Sequence, residues 1–90
     1  MKKSFSMEND IGLLVKYTVL GITSIDEKYV IYTDYFPSEN ELGIRLYAGL
    51  LIDENEFKIK KIQGVKEKEL TDAFAAEVVS SGRKVRRVIA

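Results

Sequence analysis

Four β-type segments joined by short polar stretches, with one helix-forming stretch after them, limit the folds open to this chain. Residues 13–23 are rich in β-branched and aromatic side chains and lack a polar face that recurs with a helical period. Residues 29–35 have the same character. Residues 44–52 and 57–62 alternate apolar side chains with others at a spacing of two, which is typical of strands. The pattern therefore predicts four strands.

A helix is predicted over residues 66–81, where glutamate, lysine, leucine and alanine dominate. Leu70, Phe74 and Val78 recur at helical spacing, and Gly82 is placed to end the helix in the left-handed conformation. Short connections favour neighbouring strands that pair in sequence order. The sequence therefore predicts an α+β fold: a four-stranded antiparallel meander sheet with one C-terminal helix packed on one face.

The chain is long enough for one domain with one modest core, because it has 90 residues, of which 46% are hydrophobic. We predict a flexible N-terminal segment at 1–10, a single α+β domain at 11–82 and a basic C-terminal tail at 83–90. The tail holds four basic residues and no acidic one, which leaves residues 1–82 with a net charge of −4.

The cellular setting is predicted from what the sequence lacks. There is no cysteine, which fits a reducing compartment. Acidic and amide side chains occupy positions 8–10, where a signal peptide would have its apolar stretch. The longest runs of aliphatic residues, at 11–15 and 48–52, have five residues with glycine counted, far fewer than the roughly 20 of a membrane span. We therefore expect a cytoplasmic protein with no membrane partner.

Most catalytic and metal-binding chemistry is excluded because the chain has no histidine and no cysteine. Without imidazole or thiolate there is no ordinary general base near neutral pH and no usual zinc, copper or iron ligand. The acidic turn at 53–56 and the carboxylates Asp34, Glu39 and Glu41 lack the spacing of a calcium-binding loop. We expect a protein that is not an enzyme and has no catalytic, cofactor-binding or metal-binding residues.

Aromatic and basic side chains on the predicted strands are candidate interaction residues. If the strand registers place them on one face, they form a surface that could stack single-stranded bases. The alternatives are cross-strand tyrosine pairs, or a face that binds a second copy with the hydroxyls at its wet edge. These candidates are Tyr17, Tyr32, Arg45, Tyr47, Lys58 and Lys60.

The basic tail adds four candidates, Arg83, Lys84, Arg86 and Arg87, which could attract phosphates or an acidic protein. Two other interpretations remain open, a solvated extension or an edge strand packed through Val85, Val88 and Ile89.

Two functional hypotheses follow from these candidates. One helix can cover only one face of the sheet, while the first and third strands are apolar on both faces. The leading hypothesis is therefore a non-enzymatic protein-interaction module whose exposed sheet face binds a partner protein or a second copy. The alternative is binding of RNA or single-stranded nucleic acid through the sheet tyrosines and the basic tail.

Residues 10–80 resemble the YrzB-like family of small uncharacterised bacterial proteins. The resemblance lies in residues 17–20, in the segment KYVIYTD at 28–34, in LYA at 46–48 and in IKKI at 59–62. It implies a small cytoplasmic bacterial protein and supplies no catalytic residue or cofactor. The balanced charge of this chain departs from the strongly acidic composition of that family, and the basic tail lies outside the resemblance.

Overall fold

A computed structural model describes residues 4–24 and 26–80 as one antiparallel sheet and one helix. The sheet has the strand order β1-β2-β3-β4-β5, and every neighbouring pair is antiparallel. The elements are β1 (Ser4–Glu8), β2 (Leu14–Ser24), β3 (Lys28–Thr33), β4 (Tyr47–Asp53), β5 (Lys58–Lys61) and α1 (Val65–Ser80). The α+β meander is confirmed, but the predicted count of four strands is wrong. Gly82 and the tail at 83–90 lie outside the described residues.

The fifth strand is β1, which forms within the predicted N-terminal segment 1–10. It is only five residues long, and its alternation of Phe5 and Met7 with polar neighbours is too brief to predict a strand by itself. Pairing decides the outcome, because Phe5 lies opposite Tyr17 and Met7 lies opposite Val15 on β2. The sheet therefore begins at Ser4 rather than at the long apolar segment.

Helix α1 covers one face of the sheet, over β3 and β4. The buried side chains between them are Tyr29, Ile31, Ala48 and Leu70, and this group is called the helix-side core. Phe74 packs against the helix-side core. The Phe74 ring also lies close to β2, where a Cβ added at Gly21 would be 3.1 Å from it. Glycine therefore suits this position on β2. Among the described residues, no helix is long and apolar enough to cross a membrane.

The opposite face curls over itself instead of staying open. The ring of Phe5 on edge strand β1 lies 5.6 Å from the ring of Phe57, which directly precedes the other edge strand, β5. Further along the same two edges, the Lys61 ammonium lies 3.1 Å from an Asp10 carboxylate oxygen. Register shifts between Val19 and Gly21 and between Leu51 and Asp53 interrupt two strand pairs, and such bulges increase strand bending.

An aromatic cluster fills the concave face of the sheet, opposite the helix. Tyr17 and Tyr32 are buried there, together with Val30. Gly49 makes room for the cluster, because a Cβ at that position would collide with Ile59 Cγ2 and lie 3.4 Å from the Tyr32 ring. The members of the aromatic cluster are Phe5, Tyr17, Tyr32, Tyr47 and Phe57.

Candidate functional site

A pocket of about 450 Å³ opens where the curled face meets the long connection between β3 and β4. The β1–β2 turn, the β3–β4 connection and the end of β5 all contribute to its wall, so it is built from three distant parts of the chain. We call it the Arg45 pocket, and it is lined by Asn9, Asp10, Ile11, Val15, Tyr17, Asp34, Phe36, Arg45, Tyr47 and Lys61.

The connection between β3 and β4 folds back on itself and places Phe36 beside Arg45. The Arg45 backbone N–H donates to the Phe36 carbonyl at 2.8 Å, and Pro37 bridges to Ile44 next to that bond. At the tip, the Asn40 side-chain oxygen accepts hydrogen bonds from the backbone N–H groups of Leu42 and Gly43. Asparagine makes such local turns readily. The loop is therefore a tight hairpin-like arm that fixes two pocket residues.

Arg45 is held in place by a carboxylate and an aromatic ring. Its Nη2 lies 2.5 Å from Asp34 Oδ2, and its guanidinium carbon lies 4.5 Å above the centre of the Phe36 ring. The Asp34 side chain is 9% exposed, whereas the Arg45 side chain is 47% exposed. Because guanidinium groups stack on rings and bind carboxylates in a fixed plane, Arg45 has a defined orientation although almost half of its side chain is exposed.

Asp34 stays ionised because three donors converge on it. Burial alone would raise the pKa of Asp34, but hydrogen bonds from Arg45, from the Phe36 backbone and from Tyr47 outweigh it and hold the pKa below the ordinary 3.8. The Tyr47 hydroxyl donates to Asp34 at 3.0 Å, and burial together with this bond raises the pKa of Tyr47 to about 12. The negative charge of Asp34 is therefore balanced within the protein by the positive charge of Arg45.

Lys61 is the second cation of the pocket. It lies on β5 opposite Gly49, so its side chain occupies an inward position beside the aromatic cluster. Its ammonium is 5.9 Å from the centre of the Tyr47 ring and contacts Asp10, whose side chain is 78% exposed. Exposed ion pairs of this kind contribute about 0 to 1 kcal/mol, so Asp10 is a displaceable partner.

The rim of the pocket is apolar. Ile11 is 77% exposed and Phe36 is 59% exposed, although both are large hydrophobic side chains. Asn9 fixes the position of Ile11, because its side-chain oxygen accepts hydrogen bonds from the backbone N–H groups of Ile11 and Leu13. Leu13 and Leu14 in the same turn region are also exposed. The pocket thus combines two charged pairs with a rigid hydrophobic margin.

The three strand tyrosines predicted as interaction residues come together, but two of them lie in the interior. Tyr17 is 3% exposed and Tyr32 is fully buried, with their ring centres 5.1 Å apart. Tyr32 and Tyr47 stack at 5.5 Å. Tyr17 and Tyr47 both line the pocket, where Tyr47 is half-buried beside Arg45. Rings that are buried in this way offer no face to a nucleic-acid base.

The predicted basic residues on β5 do not join this group. Lys58 and Lys60 are exposed, and Lys58 pairs with Glu56 at 3.2 Å. Lys60 lies opposite Leu50, whose side chain packs on the helix-side core, so it points to the other face. Arg83, Lys84, Arg86 and Arg87 lie outside the described residues.

Seven of the ten residues that line the pocket were not predicted as interaction residues. The sequence holds one signal for Lys61, because the apolar alternation of the fourth predicted strand breaks there and Lys61 takes an inward position. Val15 lies on β2, and the other five lie in turns or connections, where no periodicity reports which way a side chain points. The seven residues are Asn9, Asp10, Ile11, Val15, Asp34, Phe36 and Lys61.

The described residues contain no group of three or more acidic side chains that could hold a metal ion. Comparison of the chain with family models, with curated proteins and with solved structures gives no match. The resemblance to the YrzB-like family therefore stays a prediction.

Proposed function

We propose that this chain is a non-enzymatic protein-interaction module that binds a short segment of a partner protein in the Arg45 pocket. The proposal relocates the contact surface predicted from the sequence. The sheet face opposite the helix buries its centre in the aromatic cluster, and the pocket with its rim is an accessible part of that face.

The observation that carries the proposal is the pairing of an oriented arginine with exposed apolar side chains. Phe36 and Ile11 stand at the margin of a cavity whose wall is fixed by the Asp34–Arg45 contact. Aromatic residues and arginine dominate the energetics of protein interfaces, and pockets that bind ligands combine apolar walls with a few fixed polar groups. A volume of about 450 Å³ suits a few side chains of a partner.

The chemistry of the pocket favours binding over catalysis. Asp34 is ionised and its oxygen atoms already accept three hydrogen bonds, so it is poorly suited to donate a proton. The raised pKa of Tyr47 makes its phenolate inaccessible near neutral pH. The two carboxylates that line the pocket, Asp10 and Asp34, each contact a cation, so the arrangement resembles two ion pairs rather than the carboxylate pair of an acid–base catalyst.

Nucleic-acid binding is the second hypothesis from the sequence. The chain has 14 basic and 14 acidic residues, a formal net charge of zero, so its overall charge does not attract a polyanion. Support for this hypothesis now depends on the basic tail, because Tyr17 and Tyr32 are buried.

Selection from a library of random displayed peptides tests the proposed function. The full chain is used as bait beside two variants, Phe36→Ser at the pocket rim and Ile52→Ser as a matched control. Ile52 is 61% exposed and lies outside the pocket lining. We expect related peptides to be enriched by the wild type and by Ile52→Ser and to be lost with Phe36→Ser.

Equal enrichment by all three proteins, or none by the wild type, would contradict a partner segment in the pocket. Light scattering after size exclusion on the same proteins examines the homodimer. A dimer that Phe36→Ser dissociates would replace the partner segment with a second copy. Fluorescence anisotropy with a single-stranded oligonucleotide at low salt, with and without residues 83–90, examines the nucleic-acid hypothesis.

A further inference from the structure

We propose that the Arg45 pocket recognises a carboxylate that is attached to an apolar or aromatic group. This inference rests on the proposed function, because it names the chemistry of the segment that the pocket would take.

Arg45 is held in a fixed orientation, and part of its hydrogen-bonding capacity is unused. A guanidinium group carries five N–H donors, and Asp34 is its one carboxylate partner among residues 4–24 and 26–80. Asp34 and Phe36 fix the plane of the group from one edge and one face, while almost half of the side chain stays exposed. A ligand carboxylate can therefore bind donors whose orientation is already set, which lowers the entropic cost of binding.

Lys61 adds a second positive charge to the same pocket. The Arg45 guanidinium carbon lies 5.7 Å and the Lys61 ammonium 5.9 Å from the centre of the Tyr47 ring. Both cations thus flank one aromatic side chain in the pocket wall. The partner of Lys61 is the exposed carboxylate of Asp10, and an incoming carboxylate can take its place, so that Lys61 stays paired while Asp10 is hydrated.

The apolar rim of the pocket favours a ligand that carries an apolar group next to its carboxylate. Ile11 and Phe36 offer exposed apolar surface beside the cations, so a ligand with an apolar or aromatic group next to its carboxylate gains burial as well as charge pairing. Asp10 and Asp34 line the same pocket as the two cations, so a ligand with several negative charges would meet repulsion there. A single carboxylate therefore fits this pocket better than a phosphorylated or polyanionic ligand.

The experiment is a titration of the isotope-labelled full chain, followed by amide NMR chemical shifts. The probes are N-acetyl-phenylalanine and N-acetyl-phenylalaninamide, which differ only in the carboxylate. We expect both to shift the amides around Phe36 and Tyr47, and the acid to bind at least about fivefold more tightly. Arg45→Gln and Lys61→Gln should each reduce that preference, whereas Lys68→Gln, on the exposed surface of α1, should retain it.

Equal binding of the two probes, or a preference that survives both pocket variants, would overturn carboxylate recognition while leaving the proposed function standing. Absence of shifts with either probe would also overturn it, and peptide selection would then decide the proposed function separately. A phenyl phosphate titration completes the set, since tighter binding of phenyl phosphate than of the acid would overturn the carboxylate in favour of a phosphate. Lys61→Gln keeps the test valid if Arg45→Gln does not fold.

Discussion

At the scale of single residues, two adjacent polar side chains on β3 differ in how their buried hydroxyls are satisfied. Thr33 is fully buried, and its hydroxyl donates to the Arg45 carbonyl and accepts from the Tyr35 backbone N–H. Tyr32 is equally buried, but its hydroxyl has no hydrogen-bond partner among the described residues. Burial raises the pKa of Tyr32, so the group stays neutral. Thr33 therefore anchors the β3–β4 connection, whereas the Tyr32 hydroxyl contributes no such bond.

Replacing Tyr32 with phenylalanine should therefore stabilise the protein. The change removes a buried hydroxyl without a partner, and we expect the free energy of unfolding to rise by about 1 kcal/mol. Tyr47→Phe is the matched comparison, because the same atom is removed where it donates to Asp34. That variant should lose about 1 kcal/mol. Urea denaturation measures both, and a loss of stability in Tyr32→Phe would show that its hydroxyl is satisfied.

The stability of the protein depends on pH through Asp34. Its pKa is lowered in the folded state, so ionised Asp34 stabilises the fold above its unfolded pKa, and this contribution is lost as the pH falls through the folded pKa. We expect the free energy of unfolding to fall less steeply between about pH 5 and pH 2 in Asp34→Asn than in the wild type. Asp72→Asn removes one carboxylate from the exposed surface of α1 and serves as the control. Identical slopes in Asp34→Asn and the wild type would contradict this role.

At the scale of elements, β1 and β5 determine the shape of the curled face although they are its edge strands. Unpaired sheet edges invite association with other chains, and proteins protect them by covering or bending them. Here the two edges approach each other through Phe5 and Phe57 at one end and Asp10 and Lys61 at the other. The first contact is apolar and packed against the aromatic cluster, whereas the second is an exposed ion pair. The Phe5 end therefore carries more of the stability.

Phe5→Ala tests whether β1 is an integral part of the fold. The Phe5 ring lies within 5.7 Å of the ring centres of Tyr17, Tyr32 and Phe57, so its removal leaves a cavity beside the aromatic cluster. We expect a loss of about 3 kcal/mol in the free energy of unfolding. Ser6→Ala, at the exposed neighbouring position, should change it by less than about 0.5 kcal/mol. Similar small effects of both changes would show that β1 contributes little.

At the scale of the whole molecule, β3 belongs to two cores at once. Tyr29 and Ile31 point to the helix-side core, while Val30 and Tyr32 point to the aromatic cluster. If either the helix or the aromatic cluster moved away from β3, buried apolar side chains of this strand would be exposed. The two cores are therefore coupled through one central strand, and the Arg45 pocket lies at the end of the face that the helix does not cover.

Both cores should consequently unfold together. We expect near-ultraviolet circular dichroism, which reports on the packed tyrosines, and far-ultraviolet circular dichroism, which reports on α1, to give the same urea midpoint. Single domains of this size usually unfold in one cooperative step. A lower midpoint in the far-ultraviolet signal would show that the helix detaches before the aromatic cluster opens.

Local patterns in the sequence were enough to predict four strands, the helix and their order. Period-two alternation and a change to strong helix formers are properties of neighbouring residues, so they can be recognised without knowledge of the fold. The same information placed Tyr17, Tyr32 and Tyr47 on separate strands. It could not fix which of them would be exposed, because exposure depends on strand register and on what covers each face.

Only the tertiary structure decided that β1 joins the sheet, that the face opposite the helix curls, and that a pocket forms at its end. These features depend on contacts between residues far apart in the chain, such as Phe5 with Phe57 and Asp10 with Lys61. Asp34, Phe36 and Arg45 meet because the β3–β4 connection folds back, and neither residue periodicity nor composition encodes that path. The elements are determined by local propensity, and the candidate site by long-range packing.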